Sequence, residues 1–249
     1  MLIKIVLGVI FVPIALLNLL GPLFVKKVQK LPARIRFAGH DENEFLISRD
    51  EEFNRLDSEI KTIGFEYIGS SYMKDTNAET NFSLYTNETD LTCALVVSII
   101  SSVKTITYVE FSQLYEDGSM LNIFNSSQVL PFPDMDLKIA LRYPDIKSPK
   151  ELYNVFVRIK NNLKNTARPM AYDKSKGFKH IEDFMARESD DLVKRGYCYN
   201  EIDSDGKRSL TLKGAYLLTW RSIFPGSRIR ELIDRSYASR ILKNLLRGE

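Results

Sequence analysis

Residues 105–124 read TITYVEFSQLYEDGSMLNIF, and their period decides the fold class. Two runs rich in β-branched and aromatic residues, Thr105–Tyr115 and Ser119–Phe124, flank Asp117-Gly118. Asp-Gly is a strong hairpin signal because the tightest turns need positive φ. A two-residue turn there sets Phe111 opposite Phe124, Leu114 opposite Leu121 and Tyr115 opposite Met120, the cross-strand pairs that stabilise a sheet.

Upstream, Phe65–Met73, Asn81–Thr86 and Leu91–Ile100 carry the same composition with polar turns between them. Leu91–Ile100 is almost continuously apolar, as expected of a central strand buried on both faces. A last strand, Asp136–Tyr143, follows the loop Pro131-Phe-Pro133. Helices bracket this antiparallel meander. Asp50 starts one, with Phe53, Leu56 and Ile60 at helical spacing and Gly64 at the stop. Ser148-Pro149 starts the other, whose stripe Leu152, Val155, Phe156, Ile159 and Leu163 suits a helix laid on a sheet. Residues 50–165 therefore read as an α+β sandwich.

Residues 166–249 read as a helix–hairpin–helix unit with a basic end. Its parts are a helix over Phe178–Arg195, a hairpin about Asp205-Gly206, an apolar helix over Lys213–Phe224 with the single tryptophan Trp220, and a final helix after Pro225-Gly226. The final helix carries Ile229, Leu232, Ile233, Ile241 and Leu245 on one side, ringed by Arg228, Arg230, Arg235, Arg240, Lys243 and Arg247. Those six basic residues are candidate contacts with a membrane surface, the alternative being a stripe packed on the core.

At the other end, Ile5–Val25 has no charge and is long enough to cross a bilayer as a helix. A cleaved signal peptide has a shorter apolar core, and a buried helix normally keeps a polar face, so the expectation for residues 1–30 is a signal anchor with one transmembrane helix. Lys26, Lys27, Lys30, Arg34 and Arg36 follow it, and the positive-inside bias then puts the bulk of the chain in the cytoplasm of a bacterial cell, at its inner membrane. The lipid bilayer is the expected partner, with a protein partner of unknown identity, and residues 31–49 read as a linker. Two cysteines, Cys93 and Cys198, suit a reducing compartment. The sequons at Asn81, Asn87 and Asn125 matter only for the reversed topology.

The charge is uneven. The first 36 residues hold six basic side chains and no acid; residues 37–150 hold 19 acids against 9 bases; residues 207–249 hold 10 bases against 3 acids.

Chemistry-bearing motifs are sparse. The two histidines, His40 and His180, have no zinc-ligand spacing around them. Glu201-Ile-Asp203-Ser-Asp205-Gly206 imitates the start of a calcium loop, but Leu212 stands where the bidentate glutamate belongs. No phosphate loop or nucleophile elbow occurs, so no catalytic, cofactor or metal residue is assigned and an enzyme is not expected. Three readings follow: a membrane-anchored binding or scaffolding domain, a membrane-tethered nucleic-acid-binding protein, and a cryptic hydrolase.

The second of these rests on Leu192-Val-Lys-Arg-Gly-Tyr197, Lys207-Arg208 and Leu210-Thr-Leu-Lys-Gly214, which are similar to the recognition-helix end and wing of winged-helix regulators. Glu188, Asp190 and Asp191 on that helix oppose phosphate, so nucleic acid is the less favoured partner. Finally, Gly64-Phe-Glu-x-x-Gly69, Tyr115-Glu-Asp-Gly-Ser119, Gly196-Tyr197 and Leu210-Thr-Leu-Lys-Gly-Ala215 resemble a group of uncharacterised bacterial membrane-anchored proteins. That resemblance implies the anchor and no activity.

Overall fold

The computed structural model describes residues 2–37, 49–74, 78–102, 104–163 and 167–247, without the side chains of residues 2–11, 74, 78 and 245–247. The acidic stretch of the expected linker, with His40, and part of the loop before Lys176 lie outside the described residues. The chain forms two compact units, each assembled from separate segments: Met1–Ile35, Gln128–Met135 and Asp183–Ile233 in one, and Arg36–Ser127, Asp136–Glu182 and Asp234–Glu249 in the other.

The larger unit is α+β. Helix α2 (Glu51–Thr62) starts at Asp50, whose carboxylate accepts the Phe53 N–H at 2.8 Å. Strands β2 (Glu66–Lys74), β3 (Ala78–Asn87), β4 (Thr92–Ser101), β5 (Thr105–Tyr115), β6 (Met120–Phe124) and β7 (Lys138–Arg142) follow in spatial order, and a short β8 (Pro169–Met170) adds to β5. Helix α3 (Pro149–Asn162) has proline in its first turn. One face of the sheet supplies Tyr85, Ala94, Val96, Val109, Phe111, Ile123 and Leu141, and the helices answer with Phe53, Leu56, Ile60, Leu152, Phe156 and Ile159. As expected for a central strand, β4 lies between β3 and β5 with residues 92–98 all buried. Two polar ties fix the helices: the Tyr85 hydroxyl donates to Asp57 at 2.7 Å, and the Tyr153 hydroxyl donates to Asp90. The Lys160 ammonium donates to the Asp90 carbonyl at 2.9 Å, so α3 clamps the β3–β4 turn where Leu91 takes a positive φ of 54°.

Two details differ from expectation. The β5–β6 register is Phe111↔Ile123, Gln113↔Leu121 and Leu114↔Met120, one residue away from the pairing expected of a two-residue turn. The Tyr115 N–H donates to the Ser119 carbonyl and the Gly118 N–H to the Tyr115 carbonyl, so the loop holds three residues with Gly118 at φ 80°, the turn-plus-bulge form. Strand β7 pairs parallel to β6, Met120↔Lys138 through Phe124↔Arg142. Residues 125–137 form a connection long enough to return the chain to the starting end, which a parallel pair requires.

The smaller unit contains α1 (Leu2–Val28), β1 (Lys30–Pro32), α4 (Lys179–Lys194) from Asp183 onward, β9 (Cys198–Ile202), β10 (Lys207–Leu210), α5 (Leu212–Ser222) and the first turns of α6 (Gly226–Arg247). Its sheet runs β1-β10-β9, all antiparallel. Cys198, Leu210 and Ala215 form its core, with Val25, Leu31, Phe132, Leu192, Val193 and Leu218 packed around them. Thr211 caps α5, accepting the Gly214 N–H at 3.1 Å. A Cβ on Gly214 would stand 2.0 Å from the Tyr197 carbonyl oxygen, so only glycine lets the helix start so close to β9.

Among the described residues no helix is long and apolar enough to cross a membrane. Within α1, Pro13, Asn18 and Pro22 interrupt the apolar run, and Lys26 and Lys27 occupy its last turn. This corrects the expected transmembrane helix and signal anchor, the inner-membrane localisation, the lipid bilayer as partner, and the membrane-anchored character taken from the resemblance and from the first two functional readings.

A valine at Gly118 would be forced into the left-handed region at a cost of about 1–2 kcal/mol. Gly118→Val is expected to lower the Tm by several degrees, while Lys104→Ala at an exposed position leaves it unchanged; thermal unfolding followed by circular dichroism checks both.

Candidate functional site

The candidate catalytic groups do not assemble. The Cys93 thiol is buried and pushed up to about 12, first by burial and then by the Glu110 carboxylate. Burial likewise raises the Cys198 thiol. A thiol is nucleophilic as thiolate, so neither is armed near neutral pH. His180 packs edge-on against Tyr172, ring centroids 5.2 Å apart, with its Nε2 buried and without a hydrogen-bond partner. Among the described residues no three His, Cys, Asp or Glu side chains are grouped to hold a metal ion. In the calcium-like loop, Asp203 Oδ1 accepts the N–H groups of Asp205 and Lys207, and its Oδ2 receives the Lys30 ammonium at 2.6 Å. The Lys30 hydrogen bond is the main reason this carboxyl sits below its ordinary value. The loop is a turn whose acid is already used.

The helix and hairpin of the winged-helix comparison do form, with β1 as a third strand. The arginine of that hairpin, however, is consumed within the fold. Arg208, on the hairpin, is only 4% exposed. It donates to the Ser189 carbonyl at 3.0 Å, to the Ser189 hydroxyl at 2.9 Å and to Asp190 at 2.9 Å. Arg34 takes the same carboxylate in a two-pronged contact at 2.9 and 3.0 Å. Desolvation alone would raise the Asp190 carboxyl, but the hydrogen bonds from Arg34 and Arg208 outweigh it and leave it depressed. Asp191 pairs with Arg195 at 2.6 Å. In the larger unit, Glu182 takes Arg36 at 3.0 Å and the Phe37 N–H at 2.8 Å. A wing that binds phosphate must show its cations to solvent; here Arg208 is buried and points to Asp190.

The basic residues singled out from the sequence thus have mixed fates. Lys30, Arg34 and Arg36 are in ion pairs. Arg228 pairs with Glu231, Arg235 with Asp145. Arg240 and Lys243 are exposed and Arg230 is half-buried, while Leu245 and Arg247 lie outside the described side chains. The C-terminal part of α6 packs on the larger core: Ala238 is buried, its carbonyl accepts the Tyr143 hydroxyl at 3.0 Å, and Ile241 and Leu242 lie against the same cluster.

What stands out is an apolar surface on α1 and α5. Helix α1 meets α5 through its small and polar side: Gly21 lies against Thr219, Asn18 donates to the Phe224 carbonyl at 3.0 Å, and Pro22 is buried. The leucines point away, with Leu20 53% and Phe24 68% exposed, and Leu16, Leu17, Leu19 and Leu23 similar. Next to them, the Tyr216 hydroxyl donates to the Leu19 carbonyl at 3.1 Å. Leu212, Tyr216 and Trp220 recur every four residues along α5, so they share one face, with Phe224 beyond them, all exposed. This inverts the usual amphipathic helix, which keeps its apolar stripe inside. From sequence, the apolar character of residues 5–25 was plain; which side of the helix would touch the rest of the fold was not.

No protein-family model, no curated protein and no solved structure matches the chain.

The Asp190 network has a pH signature. A carboxyl depressed in the folded state contributes stability that is present above its unfolded pKa of about 3.9 and lost as pH falls through the lower folded value. Asp190→Asn is therefore expected to be clearly less stable than the parent at pH 7, because it strands the buried Arg208, and the gap is expected to shrink below about pH 3. Urea unfolding at the two pH values measures both.

Proposed function

We propose that this chain is a protein-binding module rather than a catalyst, and that it works through the apolar face of α1 and α5. The observation that carries this reading is the inverted helix: α1 spends Asn18, Gly21 and Pro22 on its own fold and turns Leu16, Leu20, Leu23 and Phe24 outward. Contiguous exposed apolar surface of this kind marks interaction sites. Its residue types fit as well, since tryptophan, tyrosine and phenylalanine dominate interface energetics and a few central residues carry most of the affinity. The alternatives find less support. The thiols are buried and protonated, the hairpin's Arg208 is engaged with Asp190, and Lys30 of β1 with Asp203.

The test separates a surface from a core. Leu20→Gln/Leu23→Gln removes two outward leucines. If they serve binding, the full chain keeps its Tm within a couple of degrees, because exposed substitutions change stability by about 0.5 kcal/mol or less. Its affinity for a fluorescein-labelled, leucine-faced helical peptide falls at least tenfold. A loss of several kcal/mol, as for buried leucines, would show that they belong to the core and end this reading.

A further inference from the structure

Resting on that reading, we propose that the partner is an amphipathic helix of another protein whose apolar stripe ends in acidic side chains, received at the Lys26–Lys27–Lys213 end of the face. The α1–α5 contacts set the geometry. Asn18 meets Phe224, Gly21 meets Thr219, and Val25 packs with the cluster containing Ala215. The helices are therefore antiparallel, and the C-terminal end of α1 lies beside the start of α5. Lys26 and Lys27 at one end and Lys213 at the other thus converge on one edge of the apolar face.

These lysines are held rather than neutralised. Lys26 sits over the Tyr199 ring at 5.9 Å. Lys213 sits over Tyr197 at 4.7 Å and donates to the Arg195 carbonyl at 2.7 Å. Among the described residues, neither they nor the exposed Lys27 has an acidic partner within ion-pair distance. Lys26 and Lys27 suit the C-terminal turn of α1, and Lys213, although in the first turn of α5, is held by the Arg195 carbonyl just past the end of α4. Three cations side by side with no carboxylate among them leave this edge positive, and an anionic end of a partner complements it.

The same charges argue against a second copy of this chain as occupant. Two α1 helices meeting in parallel bring their lysines together. In an antiparallel pair, each lysine pair meets the N-terminal half of the other helix, again its positive pole.

The experiment titrates the full chain with three fluorescein-labelled peptides that share one leucine face and differ only in a terminal trio of Glu, Gln or Lys. At low salt the Glu peptide is expected to bind about tenfold more tightly than the Gln peptide, which is what two or three exposed ion pairs sum to. The Lys peptide is expected to bind more weakly than both. High salt closes the gap, and Lys26→Glu/Lys27→Glu/Lys213→Glu reverses the order. Equal affinities for the three peptides would overturn the acidic partner while leaving the protein-binding reading intact. Binding of none of them overturns both. Dimerisation of the chain abolished by Leu20→Gln/Leu23→Gln, or preference for uncharged lipid vesicles over all three peptides, would replace the proposed occupant and so refute it.

Discussion

A guanidinium that is 4% exposed has to be answered, and in the smaller unit the answer to Arg208 organises everything around it. Asp190 supplies the carboxylate and Ser189 supplies two oxygens, which joins strand β10 to helix α4. Arg34 closes on the other side of the same carboxylate and joins the segment after β1 to α4 as well. Asp190 itself is half exposed, so solvent screens part of this attraction, yet three elements share the one electrostatic fastening. The functional consequence is as large as the structural one. The hairpin that most resembles a phosphate-reading wing uses its arginine to hold itself to the helix.

While Arg208 turns inward to Asp190, the bulky apolar residues of α1 and one face of α5 turn outward. Close approach of α1 and α5 depends on small side chains at the crossing, Gly21 against Thr219, and on Asn18 reaching the Phe224 carbonyl. That choice leaves the bulky residues of α1 on the far side. Burying a leucine side chain is worth about 1.5–3 kcal/mol, so several left in water amount to an unspent driving force comparable to that of a protein interface. Trp220 lies on the same surface, with part of its indole against Gly226 and 43% of the residue still accessible.

Much of the larger unit was legible in the sequence because local signals and tertiary packing agree there. The Asp50 cap, the stripe Phe53, Leu56 and Ile60, the proline opening α3 and the doubly buried β4 all have a residue-level cause that survives folding. The β5–β6 register did not, because Asp117-Gly118 supports both a two-residue turn and the three-residue turn with a bulge, and one residue changes every pairing. The parallel β7 was hidden for a similar reason: a connection of irregular sequence carries no mark of the direction in which the next strand runs. The strand β1 is three residues long and contains proline, so no alternation announces it; its partner β10 is far away in sequence. The long apolar run at the N-terminus suggested a membrane because hydropathy averages over a helix. The orientation of its Asn18–Gly21–Pro22 side is a property of packing, and it is this side that decides what the helix offers to its surroundings.

Fluorescence of the single tryptophan tests the central claim most directly, since Trp220 lies within the proposed face. In the free full chain at low concentration, Trp220 is predicted to emit at long wavelength and to be readily quenched by acrylamide. Saturation with the Glu-ended leucine-faced peptide is predicted to shift the emission to the blue and to protect it from quenching, and Leu20→Gln/Leu23→Gln is predicted to abolish both changes. A free chain in which Trp220 is already blue-shifted and protected, and in which the peptide changes nothing, would contradict the account.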